Sequence, residues 1–378
     1  MHYLSLEEFL KKYKRSPADR MSYDEFILTA SVIVGKYEYS LKDYIKSKNI
    51  DKSTVMLLLD YIKNRESYLT RFYNMSLRVT DKNEYIHGNM KPMTKRLDNN
   101  TGVIFKNLIR NIHFEHILKH TSSGLDNIPT YLHVIDNLFK KNIIDYKILT
   151  PSSIHYMKNG RLGSVFSSYY FRASILNPYL IYSLNLSLLK GTKVFTPTLG
   201  WSSYAFGFLE CPNVEEYVGT DVIPDVCSKT KALASRYNKR IDIYCKPSEE
   251  LSKNKLFMRK YREHFDIVFF SPPYYKLEMY DSKNQSTTMY KTYDEWLEKY
   301  WRETVKLCKD VLINGGYMCY ILSGYGSENG KNYNLIEDMN AITNEYFQYV
   351  SMQPMFNKNV HATKHRDTGE KIILYKKP

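Results

Sequence analysis

Residues 264–280 read HFDIVFFSPPYYKLEMY, and this stretch decides the fold class of the chain. The apolar run from Phe265 to Phe270 predicts a buried strand, and Ser271-Pro272-Pro273-Tyr274 follows it at once. Two consecutive prolines have no N–H to donate to a sheet ladder and also disfavour a helix, so the strand must end in a stiff, exposed turn. Such a turn either terminates the strand or presents polar atoms to a ligand.

Short apolar runs of this kind alternate with helical stretches from about Thr150 to the C-terminus. The alternation is typical of a parallel sheet with crossover helices, so we expect an α/β fold with an open, doubly wound sheet. The predicted strands are KVFT (193–196), EYVGTDV (216–222), RIDIYCK (240–246), FDIVFFS (265–271), GYMCYILS (316–323) and the terminal KIILYKK (371–377). Helices are expected after Pro178 and across residues 223–238, 255–264 and 293–312, the last ending at the Asn314-Gly315-Gly316 turn.

The first part of the chain has a different pattern. From Met1 to about Thr150, apolar residues recur at three- and four-residue spacing, which predicts a mainly helical N-terminal module over residues 1–150 and an α/β domain over residues 151–378. Asp51 supplies N-cap chemistry for a helix there. The helix pair joined by KSKNIDKS (46–53) is either a DNA-reading helix-turn-helix or two helices that only pack together. Residues 81–101 are polar and predict a loop or linker.

The charge balance indicates a polyanionic partner. The chain has 378 residues with 54 Lys and Arg against 40 Asp and Glu, a net charge of +14 that is spread over both parts of the sequence. Lys and Arg that neutralise phosphates release condensed counterions, so nucleic acid is the first candidate partner. An evenly spread excess also serves solubility. The 35 tyrosines fit an AT-rich coding genome as well as a function.

The cysteines and the apolar runs indicate the compartment. The five cysteines are far apart, without a C-x-x-C pair: Cys211, Cys227, Cys245, Cys308 and Cys319. This spacing predicts a reducing compartment, no disulfide framework and no metal site. No stretch of about 18 apolar residues occurs, and the first 16 residues are too charged for a signal peptide. We therefore expect a soluble, intracellular protein without a membrane partner.

Polar residues follow several of the predicted strands. In an open doubly wound sheet, ligands collect beyond the carboxyl ends of the strands. The first strand leads into TPTLGWSS (196–203), where Gly200 permits close backbone approach and a short helix is expected to begin. There is no G-x-G-x-x-G, and this glycine also fits a plain turn. The second strand ends at Asp221, which either binds a ribose diol or caps the helix near Pro224.

The third and fourth strands add further candidates. Ser248 and Glu249 follow the third strand, either as a helix cap or as acceptors for an adenine amino group. After the fourth strand, the Ser271 oxygen and the Pro272 carbonyl are placed to accept the two hydrogens of an exocyclic amine, so that its lone pair faces an electrophile. Tyr274 would stack on the flipped base. The electrophile would be the sulfonium methyl of S-adenosylmethionine, and no strong base is needed.

Several segments resemble one known family. DIVFFSPPY resembles motif IV of the DNA amino-methyltransferases, KVFTPTLGWSSYAFGFLE their cofactor-binding motif I, EYVGTDV the ribose-binding strand end, and FRASILNPYLIYSLN the segment that closes the cofactor pocket. Residues 271–322 also resemble phage and large-virus members in the spacing of a Tyr-x-x-Trp helix and a Gly-Gly turn. The likeness covers roughly residues 165–378 and implies a Rossmann-like methyltransferase sheet. The Ser form of motif IV is more usual among cytosine-amino enzymes, and the Asp form among adenine enzymes.

The resemblance implies a role for each matching residue. It assigns catalysis to Ser271, Pro272, Pro273 and Tyr274, and S-adenosylmethionine binding to Thr196, Pro197, Thr198, Gly200 and Asp221, with Phe171 and Pro178 against the methionine or sulfonium side. One departure is Thr196, because family members commonly carry an acid there. A hydroxyl brings no charge, so either Glu249 compensates or the chain is a pseudo-enzyme.

The segment after the turn is expected to face the substrate. Residues 275–292 are too polar for core, so we interpret them as a mobile loop beside the flipped base, with Lys276 near phosphate and Tyr275 or Tyr280 stacking; an ordinary surface loop is the alternative. The N-terminal module would then recognise double-stranded DNA. Methylation of RNA or of a protein amide, and a non-catalytic nucleic-acid-binding subunit, are the rival hypotheses.

Overall fold

The computed structural model describes residues 1–124, 128–323, 327–328, 331–357 and 369–378. Its helices, in chain order, are α1 Leu6–Lys11, α2 Tyr23–Thr29, α3 Leu41–Ser47, α4 Lys52–Lys63, α5 Arg65–Ser76, α6 Asp81–Glu84, α7 Ile104–Ile112, α8 Tyr131–Lys141, α9 Pro151–Lys158, α10 Leu162–Tyr169, α11 Pro178–Leu184, α12 Ser203–Leu209, α13 Pro224–Ala234, α14 Ser248–Leu251, α15 Lys255–Tyr261, α16 Ser286–Met289, α17 Tyr293–Trp296, α18 Glu303–Val311 and α19 Leu335–Asn344. Short 3₁₀ segments cover Pro17–Arg20 and Tyr146–Leu149, and π segments cover His116–His120, Asn185–Leu189 and Leu297–Arg302.

The strands are numbered in the same way. They are β1 Ser31–Val34, β2 Tyr37–Ser40, β3 Ser122–Ser123, β4 Ile143–Asp145, β5 Lys193–Thr196, β6 Glu216–Asp221, β7 Arg240–Cys245, β8 Phe265–Phe270, β9 Glu278–Met279, β10 Leu312–Leu322, β11 Ser327–Glu328, β12 Lys331–Asn332, β13 Gln348–Pro354 and β14 Lys371–Lys376.

The chain forms two compact units, each built from separate stretches of sequence. The first contains residues 1–2, 79–113 and 174–378, and the second contains residues 3–78 and 114–173. We refer to them as the sheet unit and the helical unit. The boundaries of these units differ from the division at residue 150 that the sequence predicts. Whether residues 1–150 and 151–378 act as separate functional domains stays a prediction.

A seven-stranded sheet forms the centre of the sheet unit, in the order β13-β14-β10-β8-β5-β6-β7. The pairs from β10 through β8, β5 and β6 to β7 are parallel, whereas β14 runs antiparallel to both β10 and β13. The five parallel strands from β7 to β10 follow the 3-2-1-4-5 order of a Rossmann sheet. The predicted α/β fold, a Rossmann-like sheet flanked by helices, is confirmed.

The strand order reverses between β5 and β8. From β5 the chain proceeds through β6 to β7 on one side, and from β8 to β10 on the other. Ligands of open α/β sheets bind in the crevice outside the carboxyl ends of the strands at such a switch point. The loop after Thr196 and the turn after Phe270 therefore open into the same crevice.

The core of the sheet unit is rich in aromatic side chains. Trp296 and Trp301 are fully buried, and so are four consecutive residues of β8, Ile267–Phe270. Each such side chain contributes about 1.5–3 kcal/mol relative to an exposed position. A Cβ added to Gly191, two residues before β5, would lie 2.3 Å from the Ile267 side chain, so the backbone passes close to β8 there.

Sequence and structure differ at two places in this sheet. The helix predicted over residues 293–312 ends at Val311, the last residue of α18. Asn314-Gly315-Gly316 lies inside β10, where the register with β8 shifts and Gly315 has a φ of +77°. The predicted helix end and strand start were therefore wrong by a few residues. The edge strand β13 was not predicted, because its residues QYVSMQP are almost all exposed and show no buried alternation.

The helical unit contains most of the predicted N-terminal helices and a small sheet in the order β2-β1-β4. Its hairpin turns at Gly35, with a φ of +62°, after the β-branched run of β1. That combination is a recognisable hairpin signal, which the helical periodicity on both sides obscured. Asp51 caps α4 as predicted, because its side chain accepts a 2.8 Å hydrogen bond from the Thr54 N–H.

Candidate active site

The loop after β5 has an unusual backbone. Gly200, Trp201 and Ser202 have φ values of +51°, +58° and +67°, and α12 begins directly afterwards at Ser203. A Cβ on Gly200 would lie 2.3 Å from the Tyr204 ring, so glycine is required there. Left-handed conformations at the two other residues cost on the order of 1–3 kcal/mol each. A strained loop at a topological switch point indicates a ligand site.

Side chains from neighbouring helices hold this loop in place. The Ser202 hydroxyl lies 2.7 Å from His113 Nε2, just past the end of α7, and 2.7 Å from Thr230 Oγ1 on α13. The His113 ring also lies 5.9 Å from the Trp201 ring. All of these side chains are buried, so the surrounding packing stabilises the strained conformation.

The carboxylate at the end of β6 is locked by backbone groups. Asp221 accepts hydrogen bonds from Leu199 N at 3.1 Å through one oxygen, and from Val222 N at 2.8 Å and Ile223 N at 3.1 Å through the other. Burial raises the pKa of the Asp221 carboxyl, and these three hydrogen bonds partly offset the rise. The carboxylate therefore ties the loop after β5 to the end of β6.

The predicted residues of the segment 196–198 differ in their surroundings. Thr196 is fully buried and its hydroxyl lies 2.6 Å from the Tyr217 hydroxyl, inside the sheet. Pro197 is also buried. The Thr198 hydroxyl lies near the Tyr204 hydroxyl, whose pKa it lowers, but it is buried without a well-formed hydrogen bond among the described residues. Thr198 and Tyr204 therefore form a buried polar contact beside the strained loop.

Glu249 lies in α14, after β7, and is buried. Its carboxylate accepts hydrogen bonds from Tyr290 at 3.3 Å and from the Ser248 hydroxyl at 3.4 Å. Burial raises the pKa of Glu249 to about 7. The Tyr300 hydroxyl is buried without a hydrogen-bond partner in the described part of the chain, and the charges of Glu249 and Asp221 help to raise its pKa after burial. Glu249 and Tyr300 are therefore two buried polar side chains whose charges and dipoles interact.

The turn after β8 is anchored through Ser271. The Ser271 N–H donates to the Tyr204 hydroxyl at 3.1 Å, and that hydroxyl donates to the Ser271 carbonyl at 3.4 Å. The Ser271 hydroxyl donates to the carbonyl of Ile321 on β10 at 3.0 Å. Its proton is thereby committed, so the oxygen lone pairs are available to accept. Burial raises the pKa of Tyr204 to about 12, which keeps its hydroxyl neutral.

The remaining residues of the turn complete the predicted motif. Pro272 is buried and Pro273 is half-buried. Within the described residues, no hydrogen bond ends on the Pro272 carbonyl oxygen. Tyr274 is half-buried, and its hydroxyl accepts a 2.9 Å hydrogen bond from Ser323 N. The structure brings this turn, Asp221 and Gly200 to one edge of the sheet.

Two acidic residues at this edge were missed by sequence reasoning. Glu370 directly precedes β14, and Glu278 lies in β9. Burial raises the pKa of both carboxyls. After burial, the charge of Glu370 is one of the causes that raise the pKa of the Tyr274 and Tyr204 hydroxyls. Glu370 lies at the carboxyl edge of the parallel strands because β14 runs antiparallel to β10, and this direction is known only from the sheet topology.

The predicted substrate loop, residues 275–292, contains buried residues and short helices. Tyr275 is fully buried in an aromatic cluster with Tyr293 and Trp296, so its ring is not placed to stack on a base. Lys276 donates to the Lys291 carbonyl at 3.4 Å and lies over the Tyr275 ring. The prediction of a mobile loop is thus replaced by packed structure in this segment.

Tyr280 lies closer to the crevice. Its ring is 5.7 Å from that of Trp201, and its hydroxyl donates to Glu278 at 3.0 Å. Burial raises the pKa of Tyr280, with smaller contributions from Glu278, Tyr204 and Asp221. Of the three predicted substrate-loop residues, Tyr280 is the one that the structure brings to the strained loop after β5.

Two predicted cofactor residues have other positions. Pro178 is the first residue of α11 and is buried, and its carbonyl would lie 2.7 Å from a Cβ added to Gly207 of α12. It supports the helix that follows the strained loop. Phe171 belongs to the helical unit, where its backbone pairs with residues 129–131.

Neither a membrane-spanning helix nor a metal-binding cluster is found in the described residues. None of the helices there is both long and apolar enough to cross a bilayer. The same residues contain no group of three or more His, Cys, Asp or Glu side chains placed to hold a metal ion.

Comparison with known proteins gives distant structural similarities. No protein-family model matches the chain, and no curated protein matches it. The N-methyltransferase NodS from Bradyrhizobium japonicum WM9, in complex with S-adenosyl-L-homocysteine, is 15% identical with a TM-score of 0.36 over 53% of this chain and 83% of that chain. TrmN from Thermus thermophilus is 14% identical with a TM-score of 0.36 over 53% and 49%.

A third solved structure is similar at the same level. The Burkholderia thailandensis 1,6-didemethyltoxoflavin-N1-methyltransferase, with bound 1,6-didemethyltoxoflavin and S-adenosylhomocysteine, is 13% identical with a TM-score of 0.34 over 61% of this chain and 87% of that chain. Similarities this low indicate nothing about what the present chain binds or modifies. The fold assignment rests on the sheet order itself.

Proposed function

We propose that this chain transfers a methyl group from S-adenosylmethionine to the exocyclic amino group of cytosine or adenine in DNA. The observation that carries the proposal is the turn after β8 at the switch point. There the Ser271 oxygen, with its proton committed to Ile321, and the Pro272 carbonyl oxygen form a pair of acceptors on a stiff backbone. Two fixed acceptors suit the two hydrogens of an amine.

Several residues at the carboxyl edge of the sheet support S-adenosylmethionine as the proposed cofactor. We assign the ribose hydroxyls to the Asp221 carboxylate, which also holds the loop after β5, and an adenine amine to Glu249 with Ser248. The left-handed backbone at Gly200 allows close approach to the loop after β5. When bound, S-adenosylmethionine would supply an electrophilic methyl group on sulfur.

The residues of the turn would orient the acceptor nitrogen. The lone pair of an aromatic amine is delocalised into the ring, so the nitrogen is a poor nucleophile. Accepting both amine hydrogens at Ser271 and Pro272 would favour a pyramidal nitrogen and direct its lone pair. The Tyr274 ring, held through its hydroxyl, would stack on the base and keep it out of the duplex. Once methylated, the nitrogen becomes acidic and loses a proton to water.

Double-stranded DNA is the proposed partner. The net charge of +14 favours a polyanion, and a base amino group is reached only after flipping. We assign target recognition to the N-terminal module proposed for residues 1–150. Its helix pair α3 and α4 is joined by residues 48–51 only, as in a helix-turn-helix.

The test uses labelled cofactor. The full chain is incubated with S-adenosylmethionine carrying a labelled methyl group and with duplex DNA, and the DNA is digested to nucleosides. Label in cytidine or adenosine derivatives supports the proposal. Ser271→Ala should lower transfer by about 100-fold or more while cofactor affinity stays unchanged. Ser235→Ala is the matched control, because the exposed Ser235 hydroxyl also donates to a backbone carbonyl at 3.0 Å.

The rival hypotheses predict other outcomes. RNA and protein are offered in parallel. Label found only in one of them would identify that polymer, and not DNA, as the substrate. Label in no substrate, with the cofactor still bound by the chain, would contradict the enzymatic proposal and favour a nucleic-acid-binding subunit. The uncharged Thr196, whose hydroxyl is paired with that of Tyr217, would then account for the absence of turnover.

A further inference from the structure

The helical unit contains a cavity of about 500 Å³. This volume is within the range of about 300–1,000 Å³ that is usual for small-molecule sites. Much of the lining is apolar and comes from Ile33, Ile128, Pro129, Val134 and Ile143. Asp145, the last residue of β4, also lines the cavity. None of the residues assigned to methyl transfer is among the described lining residues, so a ligand here would be additional to the proposed cofactor and base.

Asp145 is a buried carboxylate, only 9% exposed, that forms no ion pair with any described residue. Buried aspartates are almost always paired, because taking an isolated carboxylate out of water is costly. Burial raises the pKa of the Asp145 carboxyl. Hydrogen bonds from Lys147 N and the Tyr170 hydroxyl, and the charges of Lys147 and His133, offset part of that rise. The carboxylate therefore favours a cationic partner.

Helix capping accounts for only one of the two carboxylate oxygens. Asp145 Oδ1 accepts hydrogen bonds from Lys147 N and from the Tyr170 hydroxyl, each at 3.0 Å, and so caps the 3₁₀ segment Tyr146–Leu149. Oδ2 accepts no hydrogen bond from a described residue. A cap needs no burial, as the exposed cap Asp51 of α4 shows. Oδ2 is thus available to a ligand that donates.

Lys119 and His133 also line the cavity, but both are engaged elsewhere. The Lys119 ammonium donates to Asp136 at 2.8 Å. His133 Nε2 lies 3.0 Å from the Asn137 side-chain amide, one turn further along α8. Neither Lys119 nor His133 forms an ion pair with Asp145. Asp145 is therefore the uncompensated charge that a ligand in the cavity would meet.

We propose that this cavity binds a small organic amine, whose ammonium group donates to Asp145 Oδ2 and whose carbon skeleton packs against the apolar lining. An anion would be repelled by Asp145, and a neutral molecule would leave the carboxylate unpaired. Divalent metal ions need about six oxygen ligands, which a lining rich in Ile, Val and Pro does not favour. The inference does not depend on the proposed methyl transfer, because it uses none of the residues assigned to that reaction.

Three probes with one carbon skeleton test the charge requirement. Binding of 4-phenylbutylamine, 4-phenylbutan-1-ol and 4-phenylbutyrate to the full chain is measured by isothermal titration calorimetry near neutral pH. A hydrogen bond between two charged groups should make the amine bind about 10- to 150-fold more tightly than the alcohol. The carboxylate probe should bind more weakly than the alcohol. Magnesium chloride should not displace the amine beyond the effect of sodium chloride at equal ionic strength.

Two substitutions locate the site. Asp145→Asn keeps an oxygen that can accept from Lys147 N and Tyr170 but removes the charge, so the amine should bind no more tightly than the alcohol. Ile143→Phe enlarges a half-buried lining residue and should weaken the binding of both probes. Asp60→Asn is the matched control, because Asp60 is an exposed acid of the same unit that accepts from Asn64 at 2.7 Å. It should keep the full preference for the amine.

Thermal unfolding without ligand checks that each variant folds, and Ile143→Phe still locates the site if Asp145→Asn does not fold. Equal affinity of the unaltered protein for amine and alcohol would overturn the proposal. So would binding of neither probe, which would mean that the cavity holds only water. Amine binding that survives Asp145→Asn and Ile143→Phe unchanged would place the amine elsewhere and would also overturn it. Failure of methyl transfer to DNA would leave this inference standing.

Discussion

The Tyr274 hydroxyl accepts a 2.9 Å hydrogen bond from the backbone N–H of Ser323, the residue that follows β10. This bond joins the turn after β8 to the end of the adjacent parallel strand. The turn is also joined to β10 through the Ser271 hydroxyl and the Ile321 carbonyl. Two bonds to one neighbouring strand fix both the backbone and the aromatic ring, which is what a stacking platform beside two acceptor oxygens requires.

The first prediction separates the Tyr274 ring from its hydroxyl. Tyr274→Ala removes the stacking surface, which is worth about 1–3 kcal/mol per base, so methyl transfer should fall by about 5- to 150-fold. Tyr274→Phe keeps the ring but leaves Ser323 N without its acceptor, so it should lower the free energy of unfolding by about 1–3 kcal/mol and transfer by less than Tyr274→Ala. Single-turnover rates and denaturant unfolding measure the two effects. Equal losses of transfer in both variants would argue against stacking.

The second prediction concerns the backbone at Gly200. Gly200→Ala places a Cβ 2.3 Å from the Tyr204 ring at a φ of +51°. The left-handed backbone and the clash together should lower the free energy of unfolding by roughly 2–5 kcal/mol and displace the Ser271 anchor. Gly88→Ala is the matched control in the same unit, with a φ of +83° and nothing within 4 Å of its Cβ. It should show only the backbone cost, about 1–2 kcal/mol. Similar losses in both variants would mean that the contact with Tyr204 is unimportant.

The third prediction concerns Asp221. In Asp221→Asn, one oxygen becomes an NH₂ group that must face either Leu199 N or the pair Val222 N and Ile223 N, all of which are donors. Stability should fall by about 1–3 kcal/mol, and cofactor affinity measured by calorimetry should fall by about tenfold or more. Asp225→Asn, on α13 where Asp225 pairs with Lys229 at 2.8 Å, serves as the control. Unchanged cofactor affinity in Asp221→Asn would remove Asp221 from the proposed binding site.

The fourth prediction is a pH dependence of stability. Burial raises the pKa of Glu249 from 4.5 to about 7 in the folded protein, so the folded state binds more protons than the unfolded state between these values. The contribution of Glu249 to stability is therefore fully present below about pH 4.5 and is lost as the pH rises toward 7, a change of about 3 kcal/mol. Denaturant unfolding from pH 4 to 8 measures it.

Two variants make this measurement specific. Glu249→Gln should remove that part of the pH dependence, because the amide does not ionise. Glu250→Gln changes the neighbouring exposed acid and should retain the dependence. If the unaltered protein and Glu249→Gln show the same pH profile, Glu249 is not the buried acid responsible.

Much of the sheet unit could be predicted because its signals are local. The strands β5, β6, β7 and β8 begin at the residues where the sequence predicts them and end within one residue of it. For β5, β6 and β8 the reason is burial, since a strand buried on both faces reads as a nearly continuous apolar segment. The exposed edge strand β13 and the small hairpin β1–β2 lack that signal. The start of β10 also could not be predicted, because the register shift around Gly315 depends on how β10 pairs with its neighbour β8.

The residues of the candidate site divide in the same way. Ser271 to Tyr274 and Asp221 could be named from the sequence, because two prolines after a buried strand and an acid at a strand end are chemical signals within a few residues. Their common location, and the presence of Glu370 beside them, were decided only by the tertiary structure. Strand order and the reversed direction of β14 bring together residues about 100 positions apart, and no local pattern encodes which strand ends become neighbours.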